Sequence, residues 1–497
     1  MKSTVAAHVR LALVRALTLS LVLALVGPAL AAEDDTSSEE PDEEETSEGN
    51  EDGEDPQLPE NEVDEIKDEE TEESPTQDAL PIDSRVPDEP LPDPPAEEDA
   101  EDAENPYRLE PTILPLVAYS SDRGFGVGFL GGVVKNHPDY EPHRWGLRAR
   151  ALVFLGPKPG GGGLRVPYQS YKLNFTLPHA RGKRIGFAAV LGFRQVATAN
   201  YFGIGNAAVN ERPWEQYEEG SAAYQKAESY YDYGLTRLWG GAQVRITISP
   251  QVFTFAGARF GWNWADIRDD TKLQEDLTSD DENVTRFLVL DDNFGTFEAE
   301  GGVVFSSLDR PTSPSQGMLH ELSFRGGPTF GAGGTYGYGG INAQLRFFLP
   351  MLEDRLVGAY RILLDGLFGN PPMPELARYG GTDHEFGIGG SNGVRGVPRQ
   401  RYHGKVKMVS NLEVRSVLLR TKLARRSFDL GLVAFFDTGR IWADWKPSPE
   451  FDGEAFGFKV GVGGGLRLQW GPNFVLRTDV AWSPDGIGVY LDAGHAF

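Results

Sequence analysis

The stretch KVKMVSNLEVRSVL, residues 405–418, places lysine, asparagine, glutamate and arginine at odd-numbered positions and mainly valine, methionine and leucine at even-numbered ones. Successive side chains of a β-strand point to opposite faces, so this alternation predicts a strand with one polar and one apolar face. The same period of two recurs in residues 171–177, 341–349 and 475–482. No helical stretch of comparable strength accompanies it, and the sequence therefore predicts an all-β chain.

Extended along the chain, the alternation predicts sixteen strands. Their expected ranges are 112–120, 124–135, 145–156, 168–178, 185–198, 228–248, 251–264, 296–308, 317–326, 337–349, 355–368, 405–418, 428–442, 456–470, 473–483 and 486–497. A soluble β-sandwich also alternates, but its strands average about five or six residues. Longer two-faced strands in an even number favour a sixteen-stranded antiparallel transmembrane β-barrel, in which closure leaves no unpaired edge in lipid.

The N-terminal region differs in composition from the predicted barrel. Residues 1–31 combine a basic start, a short apolar run and a small-x-small ending, which predicts a secretory signal peptide. Residues 32–105 are acidic and proline-rich: from Glu33 to Glu104 there are 34 Asp and Glu against Lys67 and Arg85. Such a segment buries too little apolar surface to offset its ordering entropy and is predicted to be disordered. The barrel is assigned to residues 106–497.

Several chemical classes are disfavoured by the composition. The chain has no cysteine, which excludes disulfides, thiolate metal sites and cysteine nucleophiles. The letters GGSNG, residues 389–393, match a G-x-S-x-G nucleophile elbow with Asp383 and His384 close by, but the required strand before and helix after are not predicted. We therefore predict no enzymatic activity, no cofactor, no metal site and no nucleic-acid partner.

Four short segments resemble a known family by their order and spacing. They are GGSNGVRGV (residues 389–397) in a long predicted connection, FFDTG (435–439) in the thirteenth strand, SSLDRPTSPSQG (306–317), and the final DAGHAF (492–497). Together they are similar to the outer-membrane protein assembly superfamily, which includes barrel-assembly and two-partner-secretion translocases and bacterial surface antigens. The resemblance covers about residues 111–497.

The resemblance implies a set of site residues. The first segment, called the signature loop below (residues 389–397), carries Gly390, Val394, Arg395 and Gly396 as the expected motif. Its Arg395 is expected to enter the lumen and meet Asp437, with Phe435 and Gly439 in the same strand motif. Gly494 and Phe497 are expected to form a C-terminal signal, with Phe497 at the membrane interface.

The alternation supports one part of this assignment independently. Along residues 428–436 the even positions are all apolar, so the odd position of Asp437 points to the polar, lumen face. The alternative is that Arg395 is an ordinary loop arginine whose side chain lies in solvent. Val397 departs from the aromatic residue usual at its position in the family.

The resemblance also implies a function, with alternatives. We expect a bacterial outer-membrane protein that inserts or passes protein or lipid, with outer-membrane lipids and protein or lipid clients as partners, and with the barrel-assembly machinery for its own insertion. The stretch between signal and barrel predicts no periplasmic POTRA domains. The alternatives are a passive, porin-like channel and a surface-exposed binding protein that uses the acidic connection 265–295.

Overall fold

The computed structural model describes residues 109–497, apart from 122, 138–142, 158–162, 182–183, 210, 220, 332–333, 353–354, 383–386, 424–425, 455 and 472–473. The predicted signal peptide and acidic segment lie outside the described residues, as do Asp383 and His384. No helix within the described part of the chain is long and apolar enough to cross a membrane.

The described chain forms a closed barrel of sixteen strands, each antiparallel to its neighbours. The strands are β1 Leu109–Ser120, β2 Gly124–Lys135, β3 Trp145–Pro157, β4 Leu164–Arg181, β5 Ile185–Asn200, β6 Asp232–Ser249, β7 Val252–Asp266, β8 Asn293–Ser306, β9 Gly317–Gly331, β10 Gly334–Met351, β11 Leu356–Gly369, β12 Val406–Leu423, β13 Arg426–Trp442, β14 Lys459–Trp470, β15 Phe474–Ser483 and β16 Gly486–Ala493. The predicted number of strands and the all-β antiparallel architecture are confirmed.

The alternation in the sequence separates the lumen from the outer face, as β13 illustrates. Leu432 is 44% exposed on the outside, whereas Phe435 and Asp437 are buried inside. Large apolar side chains cover the outer face around the barrel, and most of the charged strand residues point inward. This is the expected division for strands with one apolar and one polar face.

The long connections all lie at one end of the barrel, after β5, β7, β11 and β13. They contain a 3₁₀ helix at Pro213–Gln216 and five short α-helices: α1 Ala222–Glu228, α2 Lys272–Leu277, α3 Glu282–Thr285, α4 Met373–Leu376 and α5 Pro449–Asp452. Isolated bridges join Ile204 to His403 and Val289 to Pro372. Apolar side chains from these connections form one buried cluster, so the connections pack together over this end.

The barrel closes at a short seam between β1 and β16. Only Tyr119 with Leu491 and Ser120 with Tyr490 are paired there, although the amide of Ser121 also donates to the carbonyl of Val489 at 3.1 Å. By contrast, β1 and β2 share twelve pairs, and β15 and β16 share eight. The two strands that close the barrel are therefore its most weakly joined neighbours in this comparison.

The last residues of the chain correct one prediction. The sixteenth strand was expected over 486–497, but β16 ends at Ala493. Gly494 has a left-handed φ of 79° and donates its amide to the carbonyl of Val475 at 2.7 Å, which turns the chain out of the sheet. Ala496 and Phe497 then pack against lumen residues of β10 and β11, including Phe348.

Phe497 therefore lies inside the barrel and not at the membrane interface, and that prediction is wrong. Its ring centroid is 6.3 Å from that of Phe348, and the guanidinium groups of Arg361 and Arg415 lie 5.0 and 5.2 Å from it. Its carbonyl oxygen accepts a hydrogen bond from Arg415 at 3.0 Å. Two arginine faces on an aromatic ring stabilise this inward position.

Candidate functional site

The connection between β11 and β12, described over residues 370–382 and 387–405, enters the lumen and carries the signature loop with it. Residues Ile388, Val394, Arg395 and Val397 are completely buried. Val394 and Val397 pack with Ile388 and with lumen-facing side chains of β11, β12 and β13 in one apolar cluster. Part of the lumen is thus filled by the chain's own connection.

Glycines let the signature loop reverse direction inside this confined space. Gly390 has a φ of 82°, and its amide donates to the carbonyl of Val397 at 2.9 Å. Gly396 has a φ of 93°, and its amide donates to the Tyr490 hydroxyl at 3.1 Å. Left-handed backbone of this kind favours glycine over other residues. The two turns aim the side chain between them, Arg395, at the wall formed by β12–β15.

Arg395 is held by three carboxylates from three strands. Its Nε lies 2.7 Å and its Nη2 2.9 Å from the two carboxylate oxygens of Asp437, a bidentate pairing. Its Nη1 reaches Glu413 at 2.8 Å and Asp479 at 3.1 Å. The guanidinium carbon also lies 3.4 Å from the centroid of the Phe435 ring. The planar fork of arginine suits this geometry, and a lysine could not reproduce it.

The charges around Arg395 form a connected network. Arg415 binds Glu413 at 2.8 Å, and Arg467 binds Asp479 at 2.6 Å. Burial disfavours the charge of Arg395, but the carboxylates of Asp437 and Glu413 together raise the pKa of this loop residue well above its usual value. Arg395 therefore stays charged, and losing it would leave buried carboxylates with too few partners.

The register of the strands makes room for the loop backbone. Asp437 lies opposite Gly461 of β14, and a Cβ atom at Gly461 would lie 2.1 Å from the carbonyl oxygen of Arg395. Gly439, two residues beyond Asp437 in β13, also faces the loop: a Cβ atom there would lie 2.9 Å from Val394 Cγ2. Both glycines face the loop, and only Gly439 belongs to the sequence motif.

Replacing Gly461 by alanine should disturb the loop without changing any charge. The added methyl cannot coexist with the Arg395 carbonyl, and such overpacking costs about 1–3 kcal/mol. Gly337→Ala is the matched control, because a Cβ atom there has no neighbour within 4 Å. Thermal unfolding in detergent measures the difference, and equal losses of stability in the two variants would contradict this packing.

An amide and a second arginine connect the loop to β11 and β12. Asn411 donates to Asp437 Oδ1 and to the carbonyl of Gly393, both at 2.8 Å. Arg361 donates to Asn411 Oδ1 at 3.0 Å through Nε and also to the carbonyl of Asn392. Asn411 therefore fixes the signature loop and its carboxylate partner in one arrangement.

The turn between β8 and β9, residues 307–316, is also built on an aspartate. Asp309 Oδ1 accepts the amides of Ser315 and Gln316 at 2.9 and 3.0 Å. Burial opposes the ionised form of this carboxyl, but the hydrogen bonds from Ser315 and Gln316 lower its pKa below the usual value. Ser313 of the same turn contacts His495 at 3.2 Å. The third motif thus meets the C-terminal residues at the end of the barrel opposite the long connections.

The sequence-predicted residues fall into two groups. The structure brings together Val394, Arg395 and Gly396 with Phe435, Asp437 and Gly439, with Gly390 supplying the reversal. It places Phe497 among lumen residues, with Gly494 in the turn that leads to it. Sequence reasoning missed Glu413 and Asp479 as partners of Arg395, although the alternation placed both on polar strand faces.

The serine of the GGSNG stretch has no nucleophile-elbow geometry. Ser391 donates to Asp492 at 3.2 Å and accepts from Arg399 at 3.1 Å, and the described residues directly around it form turns. Within the described residues, no group of three or more histidine, aspartate or glutamate side chains is placed to hold a metal ion. The absence of catalytic activity stays a prediction.

The fold and this site define a class: a sixteen-stranded barrel whose lumen receives a connection anchored by a buried arginine. The model of the Omp85 superfamily domain matches residues 162–495. The chain belongs to the Omp85 superfamily, and the family resemblance read from the motifs is confirmed. Barrels of this family are outer-membrane proteins.

Three solved structures are similar to this chain. BamA from Haemophilus ducreyi lacking POTRA domains 1–3 has 12% identity over 78% of this chain and 70% of that chain, with a TM-score of 0.47. CdiB from Acinetobacter baumannii has 14% identity over 78% of this chain and 65% of that chain, with a TM-score of 0.42. CdiB from Escherichia coli has 10% identity over 77% of this chain and 62% of that chain, with a TM-score of 0.46. The chain thus spans less than two thirds of the CdiB structures. A search of curated proteins gives no match.

Proposed function

We propose that this chain is a bacterial outer-membrane protein that inserts protein or lipid into the outer membrane or passes it across. The observation that carries the proposal is the seam between β1 and β16, with two residue pairs. Its clients are proteins or lipids, its surroundings are outer-membrane lipids, and its own insertion relies on the barrel-assembly machinery. A cleaved signal peptide and the absence of POTRA domains remain predictions within this proposal.

The outer surface of the barrel supports membrane placement. Ile113 of β1, Leu191 of β5, Phe324 of β9 and Val480 of β15 are each more than half exposed, and these strands are spread around the barrel. Large apolar side chains exposed on strands around a whole barrel are costly in water. A lipid environment removes that cost, and the closed ladder of strands satisfies the backbone groups that lipid cannot.

The seam supports a function that exchanges material between lumen and membrane. A typical intramolecular hydrogen bond contributes about 0.5–1.5 kcal/mol net, so separating β1 from β16 costs far less than separating strands joined by eight or twelve pairs. The exposed edges of the separated strands could then pair with an incoming strand. A barrel with a short seam can open sideways and still keep its other strands together.

The two alternative functions have weaker support. A passive channel needs an open lumen, whereas the signature loop and its ion pairs occupy the lumen here. A binding surface on the connection 265–295 would have to use its acidic side chains, such as Asp280, Asp281 and Glu282, which are exposed. Its apolar stretch, residues 287–290, is buried in the packed cluster of connections and is not open to a partner.

Deleting the gene in its bacterium tests the proposed function. The wild-type chain should be recovered with outer membranes, and its loss should lower the amount of at least one protein or lipid class in that membrane. Re-expression of the wild-type chain should restore the original composition. Recovery of the chain in a soluble fraction, or an outer membrane unchanged by its loss, would contradict the proposal.

A further inference from the structure

Most of the β1 edge that faces the seam has no strand beside it. Among the described residues, β16 pairs only with Tyr119 and Ser120 of β1, and Gly494 then turns the chain towards the lumen. Residues 109–118 therefore have a neighbouring strand, β2, on one side only. When the seam opens, this edge of β1 is one border of the opening.

The alternation along β1 determines which backbone groups point to this edge. The carbonyl of Ser120 accepts the amide of Arg123 in the turn to β2, at 3.0 Å, whereas the amide of Ser121 reaches Val489 of β16. Successive residues of a strand direct their backbone groups to opposite neighbours, so even-numbered residues of β1 bond to β2 and odd-numbered ones face the seam. The edge at the seam is thus formed by residues 109, 111, 113, 115 and 117.

Two of these edge positions are prolines, Pro111 and Pro115. Proline has no backbone N–H, so it cannot donate a hydrogen bond to a strand that pairs with this edge. The ladder between β1 and β2 is unaffected, because it uses the even-numbered residues. Pro115 lies between Ile113 and Val117, which are exposed on the outer face, and thus within the apolar band of the barrel.

A polypeptide strand that entered the seam would leave backbone groups unsatisfied. Two of its carbonyl groups would face a proline and find no donor, and lipid offers none. Pairing with β16 alone is not sufficient, because its eight residues are fewer than the roughly 9–11 that a spanning strand needs. Prolines on an edge strand are a known protection against the addition of another strand.

The two faces of β1 suit acyl chains. Its one charged residue, Glu110, lies next to its start. Beyond it, the lumen face carries the half-buried Leu114 and Leu116, and the outer face carries Ile113 and Val117. The lumen face of β12, by contrast, carries lysine, glutamate and arginine. An acyl chain that moves past β1 therefore desolvates no charge on this strand, and it needs no hydrogen bond from the edge.

We propose that the client of this seam is a lipid whose acyl chains pass along β1, and not a polypeptide strand. This inference rests on the proposed function and narrows its client to one class. The headgroup would travel on the lumen side, where the other strands present polar side chains. The acyl chains would stay at the opening, against the apolar faces of β1.

The test reconstitutes the full chain into vesicles of phosphatidylethanolamine and phosphatidylglycerol. One measurement follows the exchange of a fluorescent phosphatidylethanolamine between the leaflets by quenching with dithionite. The other follows the folding of a urea-unfolded outer-membrane barrel protein, added to the same vesicles, by its shift on unheated gels. For the wild type we expect lipid exchange about tenfold or more faster than in protein-free vesicles, since the path lowers the barrier, and no acceleration of folding.

A proline variant tests the edge. Pro111→Val with Pro115→Val supplies the two missing donors and should accelerate folding of the added protein several-fold over the wild type, because the restored edge can pair with an incoming strand. Pro328→Val with Pro350→Val is the matched control, because these prolines lie in β9 and β10, far from the seam in the strand order. This control should behave as the wild type in both measurements.

A charge variant tests the lumen face of β1. Leu114→Glu with Leu116→Glu should slow lipid exchange about tenfold or more, because an acyl chain would then have to desolvate carboxylates. Leu114→Met with Leu116→Met keeps the face apolar and should retain the exchange rate within a few-fold. The shift of each variant on unheated gels shows that its own barrel has folded.

Lipid exchange without accelerated folding by the wild type, with a gain of folding by the proline variant, supports the proposal. Accelerated folding by the wild type would overturn it and leave the proposed function in place, with a polypeptide as the client. A proline variant no faster than the wild type, or a folded glutamate variant with unchanged exchange, would overturn it as well. Inactivity of the wild type in both measurements also overturns it, and the composition of the outer membrane in the deletion strain then decides the proposed function separately.

Discussion

Arg395→Ala should destabilise the barrel by about 3–5 kcal/mol, because removing one partner of a buried ion pair leaves the other charge uncompensated. Here three carboxylates, Asp437, Glu413 and Asp479, lose a common partner. The stability of Arg395→Lys should lie between those of the alanine variant and the wild type. Lysine keeps the charge, but it loses the bidentate pairing with Asp437 and the stacking of the guanidinium group on the Phe435 ring. Unfolding in detergent by tryptophan fluorescence measures these differences.

Arg420→Ala is the control for this series. Arg420 is 47% exposed and pairs with Asp429 at 3.5 Å, so its loss should cost about 0–1 kcal/mol. Asp437→Asn should resemble Arg395→Ala, and the double change should cost much less than the sum of the two. Additive effects, or an Arg395→Ala variant as stable as Arg420→Ala, would rule out the buried contact as an anchor.

Release of the loop can be read separately from unfolding of the barrel. The connection 370–405 contains Arg399 and Arg401, both sites for trypsin, in its packed part. In the wild type, burial should protect the connection from cleavage, and Arg395→Ala should expose it while the strands persist.

The sequence was sufficient for the number of strands and for the inward face of strands such as β13. A period of two is a local property, so the inward position of Asp437 followed from residues 428–436 alone. Glu413 and Asp479 were placed on polar faces in the same way. Their convergence on Arg395 was not predictable, because it depends on the register across β12–β15, which local alternation does not determine.

The position of Phe497 could not be predicted from the sequence. Its place at the end of the predicted closing strand indicated a residue at the membrane interface, but Gly494 turns the chain and the guanidinium groups of Arg361 and Arg415 contact the ring. Nothing local distinguishes an aromatic residue facing lipid from one facing arginines in the lumen. The short seam was equally hidden, since it depends on the register between β1 and β16, which local alternation does not determine.

A disulfide across the seam should abolish the function while leaving the barrel intact. The chain has no cysteine, so introduced pairs have no competitors. Tyr119→Cys with Leu491→Cys places two thiols on residues paired across the seam. Directly paired antiparallel residues have Cα atoms about 4.5–5.5 Å apart, which lies within the range that a disulfide spans.

The control disulfide joins two strands that stay paired when the seam opens. Val117→Cys with Val127→Cys bridges β1 and β2, where twelve pairs already hold the strands, and both side chains face outward. Both double variants therefore have one cysteine in β1, and both form the same kind of bond between neighbouring strands. They differ in whether the bridged strands must separate.

The most direct measurement is restoration of outer-membrane composition by each variant in the deletion strain, with and without a reducing agent. We expect the β1–β2 disulfide to restore it under both conditions, and the seam disulfide to restore it only when reduced. Full restoration by the oxidised seam variant, with the crosslink shown to be complete, would contradict a function that depends on opening between β1 and β16.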